Sequence, residues 1–579
     1  MPEDLQLGFR LGPFEILPGR NRIAGPNGET RVEPKTMSVL LELAAAEGGT
    51  VGREHLIRAV WPRGFVTDDV LTRCVGQLRK ALGDSAREPK YLETVPKTGY
   101  RLLVCVQPGP PATVESPPGG EGVVVLPFQN LSAGAQDQYV ADGLTELLIA
   151  RLAQASQLRV ISRTTAMSLR DDARTSPEIA GDLGVRWLVE GSVLMSGGQL
   201  QIVAQLIDAG NDRHVWADTW LRGLADLMPV QNEIAQRIAV EICGSLAADL
   251  PDANVAPVLP ELVLRQYLKG RQSLSQRTSK ALREARDRFS SVVEAMPDYA
   301  PAWASLAETE MLLAHYGAEP VSTAVRQSRR HVDRALSLDP DLPMALAQRA
   351  ALAFFFDRDF DGARVQLTRA LALQPSYILA LLTLANVNTV LGRFDDALDW
   401  IEQALLIDPL DLGIHMNRAD HLILHRRFGA AVSQLDAILA RSPGHEPSLL
   451  RMAWALALDG RGAEARATLS RVAGSPSAIF EYGALVAGAT GEVSAAGMYF
   501  GQLRSLAGEA YVAPWALARA GAAAGEAGAA LAALEAALEE GSSSLPFAAL
   551  TPAFDSLRGD SRFTLFLEKL GVPAIFRGA

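Results

Sequence analysis

The chain has 579 residues, 48% of them hydrophobic and 21% charged; that is too long for one core and too apolar for wholesale disorder. Its three cysteines, Cys74, Cys105 and Cys243, have no CxxC spacing and exclude a disulfide framework. No run approaches the ~20 apolar residues that span a bilayer, and the N-terminus has no apolar leader, so a cytoplasmic protein without membrane contact is expected. The net charge is −11, but residues 1–106 hold 15 Lys and Arg against 13 Asp and Glu, leaving −13 for the rest. The acidic remainder would repel phosphate, so any contact with nucleic acid belongs to the front of the chain.

In chain order, Phe9 to Ile16 and Glu29 to Val32 read as short strands. Pro34 to Ala46 reads as a helix with Met37, Leu40, Leu41 and Ala44 on one face, ended by Gly48 and Gly49. Arg53 to Val60 is a second helix and Asp68 to Leu82 a third, stopped by Gly83. In the third helix Leu71, Val75, Leu78 and Leu82 form a core-facing stripe, so Thr72, Arg73, Gly76, Gln77 and Lys80 point outward together. Tyr91 to Val95 and Tyr100 to Val104 then bracket a hairpin tip holding Lys97 and Thr98. A Pro/Gly-rich linker follows over residues 107–121.

Residues 122–250 alternate: a strand at VVVLPF, a helix over Asp142 to Gln154, a strand at LRVIS and a short helix ending at Leu183. A three-strand run over 186–221 and a helix over Met228 to Ile242 complete a small α/β domain. Asp142 and Glu146 lie one helical turn apart there and read as a solvated face. From residue 258 to 572 the sequence repeats. Ala351, Ala385, Ala419 and Ala453 recur every 34 residues, followed by Ala363, Ala397, Ala431 and Ala465, then Leu367, Ile401, Leu435 and Leu469. Pro375, Pro409, Pro443 and Pro476 punctuate the units. That register means stacked helical hairpins, the small residues allowing close approach and each proline stopping a second helix; about seven units fit.

The stretches VEPKTMSVLLELAAAEGGTVGREHLIRAVWP, DDVLTRCVGQLRKALGD and PKYLETVPKTGYRL resemble the OmpR/PhoB-type winged helix, and within it the CadC/HilA-like group. The resemblance implies a DNA reader over residues 1–106, with Thr72, Arg73, Gly76, Gln77, Arg79 and Lys80 against the major groove. It implies further that Lys97 and Thr98 form the wing and that Trp61 lies near the DNA. With the winged helix starting almost at residue 1 and a polar linker after it, neither the receiver domain of the OmpR/PhoB layout nor the membrane span of the CadC-like layout is expected. The periodic region resembles tetratricopeptide repeats, whose groove takes proteins. The stretches VVVLPFQNLSAGAQDQYVADGLTELLIARL and VRWLVEGSVLMSGGQLQIVAQLIDA resemble a small domain of CadC-like regulators and some adenylate cyclases, similar in look to the N-terminal domain of TolB.

The chain shows no GxxxxGK[ST], HExxH or GxSxG motif. His421 and His425 form its one i, i+4 histidine pair, and with no carboxylate or thiol at ligand spacing they read as surface or groove residues. The expectation is a multidomain protein: a winged helix-turn-helix, a small α/β domain and an all-α repeat solenoid. It has no catalytic residue, metal or cofactor. Its partners are double-stranded promoter DNA and, through the repeat groove, RNA polymerase or another protein, with a homodimer as a further form. The rival expectation is a repeat scaffold whose winged helix makes protein contacts.

Overall fold

Gly12, at φ +61, turns what reads as one strand into the hairpin of β1 (Phe9–Leu11) and β2 (Phe14–Leu17). With β3 (Arg22–Gly25), β4 (Gly28–Arg31) and a late strand, β8 (Val106–Pro108), these form an antiparallel sheet of order β4-β3-β2-β1-β8. The computed structural model describes residues 9–17, 22–25, 28–46, 48–60, 68–85, 89–96, 98–104, 106–108, 121–132, 137–155, 157–197, 199–243, 259–315 and 319–576. They fall into two compact units divided between Pro118 and Gly119.

In the first unit, α1 (Pro34–Ala45), β5 (Val51–Gly52), α2 (Arg53–Val60) and α3 (Asp68–Ala81) are followed by β6 (Leu92–Val95), β7 (Gly99–Leu102) and β8 (Val106–Pro108). β5, β7 and β6 make a second, three-stranded sheet. β8 pairs with β1, so Gln107 and Pro108, which read as linker, lie in a strand. The rest of the Pro/Gly stretch, 109–120, lies outside the described residues. The core joins Met37, Leu40 and Leu43 of α1 to Leu71, Val75 and Leu78 of α3 and to Leu92, Tyr100 and Leu102 of the hairpin.

The second unit begins with β9 (Glu121–Val125), β10 (Gln129–Asn130) and α4 (Gln138–Leu152), then β11 (Leu158–Val160), α5 (Arg163–Ser168) and α6 (Ser176–Leu183). β12 (Trp187–Ser196), β13 (Gln199–Asp208), β14 (Arg213–Gly223) and α7 (Leu227–Cys243) complete its α/β part. The sheet runs β11-β9-β12-β13-β14, parallel around β9 and antiparallel beyond β12. α6 starts on a capping box, Thr175 with Glu178, and ends on Gly184 at φ +61. The sequence reading misses α5, a six-residue helix capped by Ser162.

Among the described residues eight helical pairs follow, one more than expected: α8 (Glu261–Ser275) with α9 (Ser279–Ala295), α10 (Ala300–His315) with α11 (Val321–Leu338), α12 (Pro343–Leu352) with α13 (Phe360–Leu373), and α14 (Ile378–Val390) with α15 (Phe394–Ile407). Then come α16 (Leu412–Leu424) with α17 (Phe428–Arg441), α18 (Glu446–Leu458) with α19 (Gly462–Leu469), α20 (Pro476–Ala489) with α21 (Val493–Ala507), and α22 (Pro514–Ala523) with α23 (Ala527–Glu540). α24 (Ser561–Lys569) closes the array. Ala363, Ala397, Ala431 and Ala465 are fully buried, as their register requires. Pro476 departs from the expectation: α19 is only eight residues long, and Pro476 is the first residue of α20 rather than a stop after α19.

Two local readings are corrected by packing. Glu146 does not face solvent: it is paired with Arg163 of α5 at 2.9 Å and Arg271 of α8 at 2.5 Å. Burial opposes its charge, yet the two arginines hold its carboxyl below the ordinary value. Asp142 likewise pairs with Arg170 at 2.5 Å. His421 and His425 are buried, 2% and 7% exposed, and are bridged by Thr389 Oγ1 at 2.7 and 3.0 Å. His421 Nε2 faces Asn386 Oδ1 at 3.0 Å and so carries the proton. Its Nδ1 then accepts from Thr389, whose oxygen accepts from His425 Nε2. Both rings are neutral: burial lowers His421 to about 4, and burial with the neighbouring His421 lowers His425 to about 3.

No packing boundary separates the α/β part from the repeats. One apolar core runs from Val123 in β9 through α4 and α7 to Leu313 in α10. Polar bonds extend the seam. Ser162 N donates to Ile407 O at 2.8 Å, Thr165 Oγ1 to Asp408 Oδ1 at 2.5 Å and Arg159 Nη1 to Leu406 O at 2.8 Å. The turns between repeats thus hold the α/β part. The turns within repeats hold the C-terminal segment: Phe547 meets Phe354, Asp555 pairs with Arg426 at 2.8 Å, and Phe576 stacks on Phe394.

Candidate nucleic-acid interface

α3 is fixed by its buried stripe. Leu71, Val75, Leu78 and Leu82 are all at most 1% exposed, and Cys74 is buried beside them. That leaves Thr72, Arg73, Gly76 and Lys80 exposed on the opposite side. The side chains of Arg73 and Lys80 have no hydrogen-bond or ion-pair partner among the described residues. A Cβ added at Gly76 would meet nothing within 4 Å, so nothing inside the fold requires a glycine there.

Two of the expected readers are engaged inside the domain. Arg79 Nη2 donates to Leu92 O at 3.1 Å and Thr94 Oγ1 at 2.9 Å, which ties α3 to β6. Gln77 is half-buried; its Oε1 accepts from Thr36 Oγ1 at 2.6 Å and its Nε2 donates to Glu33 Oε1 at 3.0 Å. Lys97 and Trp61 lie outside the described residues. Thr98 is exposed at the tip between β6 and β7, its N–H closing the turn on Val95 O at 3.1 Å. Gly99 is required beside it, because a Cβ would stand 1.9 Å from Val51 O.

The hairpin's position relative to α3 is set by a residue the sequence reading passed over. Asp84 follows the helix, and its carboxylate accepts backbone N–H bonds from Ser85, Lys90, Tyr91 and Leu92 at 2.7–3.1 Å. Burial raises the cost of its charge, but these four donors pull its carboxyl below the ordinary value. On the other side Lys35 Nζ donates to Val60 O at 2.7 Å, a cation at the C-terminus of α2. Arg53 lies over the Tyr100 ring at 5.3 Å. Glu33 and Thr36 of α1 were also passed over; their signal is a glutamate at a helix N-cap and a threonine inside a helix, both poor local choices.

Residues 27–102 match the family described as transcriptional regulatory protein, C terminal, and residues 357–419 match tetratricopeptide repeats. The chain is 31% identical to putative adenylate cyclase 3 of Rhizobium meliloti over 245 residues, 41% of this chain but only 38% of that protein. It is 23% identical to the transcriptional regulator HilA of Salmonella typhimurium over 433 residues, 73% of this chain and 75% of HilA. It is 35% identical to the transcriptional activator CadC of Escherichia coli over 115 residues, 19% of this chain and 22% of CadC. No helix among the described residues is long and apolar enough to cross a membrane. The chain is thus a homologue of HilA and CadC that joins a winged-helix domain of the transcriptional regulatory protein C-terminal family to tetratricopeptide repeats.

Proposed function

We propose that the chain is a sequence-specific DNA-binding transcription regulator that acts in the cytoplasm on double-stranded promoter DNA. One observation carries the reading: α3 turns Arg73, Gly76 and Lys80 outward together, and neither cation has an internal partner among the described residues. A major groove about 12 Å wide admits such a helix. Arg73 offers forked donors to base edges, Lys80 suits phosphate, and Gly76 lets the backbone approach. Thr98 and the hairpin tip would lie against the flanking backbone. Arg79 contributes by holding α3 in place, while Gln77, half-buried, keeps part of its amide on the outward side.

The HilA alignment, at 433 residues, extends far past the first unit, which ends at Pro118; this supports a shared regulatory role for the second unit. We read the repeats as the surface for a protein that governs activity, RNA polymerase or another, and a homodimer as the form that would read paired half-sites. The α/β region, with its TolB-like pattern, serves as the body on which the first repeats are built. The stretch shared with the putative cyclase is read as non-catalytic.

The test is selection of duplexes from a random pool by the full chain, followed by titration at several salt concentrations. Arg73→Ala should lose roughly 1–3 kcal/mol on the best site and flatten discrimination. Lys80→Ala should weaken all sequences alike and lower the salt slope by about one. A folded chain that enriches no sequence rejects the reading and leaves the scaffold alternative. Removing residues 119–579 should keep DNA binding and end regulated promoter output.

A further inference from the structure

Two residues at the start of α1, its N-cap Glu33 and Thr36, are poorly explained by helix physics alone. Glu33 stands at the N-cap, where Ser, Thr, Asp and Asn are favoured because their side chains accept from the first free N–H groups. Glu33 makes no such capping bond. Thr36 is fully buried inside the helix, where a β-branched polar residue is a poor former and a buried hydroxyl needs a partner. Its hydroxyl does not turn back to its own helix. Both side chains converge on one atom group, the Gln77 carboxamide, at 2.6 Å from Thr36 and 3.0 Å from Glu33.

We propose that Glu33 and Thr36 are positioning residues for base recognition, fixing the orientation of the Gln77 amide on the reading face of α3. The inference rests on the DNA-reading function proposed above. A carboxamide has two N–H donors and two acceptor lone pairs. Thr36 takes one lone pair and Glu33 one N–H, so one donor and one acceptor remain on a side chain that is still partly exposed. A flipped amide would point its oxygen at the Glu33 carboxylate, acceptor against acceptor. Thr36 could tolerate the flip, since a hydroxyl also accepts; Glu33 could not. The carboxylate therefore sets which end of the amide is donor, and Thr36 holds the plane. A donor and an acceptor in fixed order match the N7 and N6 pattern of adenine and distinguish A·T from T·A; an amide free to flip does so less well.

The experiment compares full-length wild type, Glu33→Gln, Thr36→Val and Thr36→Ser by selection from a random duplex pool. Glu33→Gln removes a negative charge and should raise affinity for all duplexes somewhat, so the readout is base preference, position by position. Expected is a loss of roughly tenfold in preference at one base pair for Glu33→Gln, a similar loss at the same pair for Thr36→Val, and retention by Thr36→Ser. In a Gln77→Ala background Glu33→Gln should change no preference, because its route is gone. Melting of each variant is followed in parallel: Thr36→Val is close in volume at a fully buried site, and if it fails to fold, Glu33→Gln on the exposed N-cap still decides. Wild type that selects a sequence while Glu33→Gln leaves its preferences unchanged overturns the inference alone. Wild type that selects no sequence overturns the DNA reading and this inference together.

Discussion

α3 and α4 carry the same kind of sequence signal, charged or polar residues one helical turn apart on the side away from an apolar stripe, and the two helices use it in opposite ways. On α4, Asp142 and Glu146 are bound up by Arg170, Arg163 and Arg271, each from another element of the second unit. On α3, Gln77 and Arg79 are likewise engaged, but the side chains of Arg73 and Lys80 have no partner among the described residues. Charge spacing along a helix says which side chains share a face. What packs against that face decides whether the charges build the protein or remain for something outside it.

The largest test of that difference deletes one charge from each helix. Glu146→Ala removes the carboxylate shared by Arg163 and Arg271, leaving Arg271 only Glu308 at 3.3 Å, in a seam where both arginines are mostly covered, at 26% and 22% side-chain exposure. Removing one partner of a buried ion cluster typically costs about 3–5 kcal/mol. The urea midpoint of the second unit should fall accordingly, with the first unit unaffected. Arg73→Ala, an exposed change, should stay within about 0.5 kcal/mol of wild type in stability. Equal and small effects from both would erase the contrast.

Acid gives an effect that is smaller per group and has a definite sign. His421 and His425 are neutral in the fold, with values near 4 and 3 against an ordinary 6.5. Between those limits the unfolded chain binds more protons than the folded one. Stability is therefore complete above about pH 6.5 and is lost as pH falls, by about 2 kcal/mol per buried imidazole at pH 5. The second unit should weaken along this slope, and His425→Gln should flatten it while lowering stability at pH 7. The first unit, in which no histidine is buried among the described residues, is the internal reference for that slope. Denaturant titrations of the two transitions at pH 7 and 5 decide it.

The first unit was legible because its signals are local and agree. A stripe at i, i+4, i+7 and i+11 defines α3, Gly48 and Gly83 sit at positive φ where helices were read to stop, and the hairpin tip lies where its turn residues stand. The repeats were legible for the same reason, since a fully buried alanine every 34 residues is a packing requirement written into the sequence. What escaped were relations between distant segments. Nothing in Thr36 announces Gln77, 41 residues away, and nothing in Thr165 announces Asp408, 243 residues away. The reading of His421 and His425 as surface or groove residues failed for the same reason. Their burial depends on Thr389 and Asn386 from the preceding repeat, and single-helix spacing carries no record of that.

The last and smallest effect separates fold from function at one atom. Gly76 is inside α3, exposed, with open space where a Cβ would stand. A glycine in an exposed helix interior is about 1 kcal/mol less favourable than alanine, so Gly76→Ala should raise the stability of the first unit by about 0.5–1 kcal/mol. If the backbone of α3 approaches the floor of a groove, the same methyl must meet the DNA, and binding should weaken as stability rises. Gly501 on α21 is a matched control: it too is helical, exposed and without a neighbour within 4 Å. Gly501→Ala should stabilise the second unit similarly and leave DNA binding unchanged. Opposite signs for stability and binding at Gly76, with stability alone moving at Gly501, are what a reading helix requires. A Gly76→Ala chain that melts higher and binds DNA as tightly as wild type would mean that the exposed face of α3 is not the one laid in the groove.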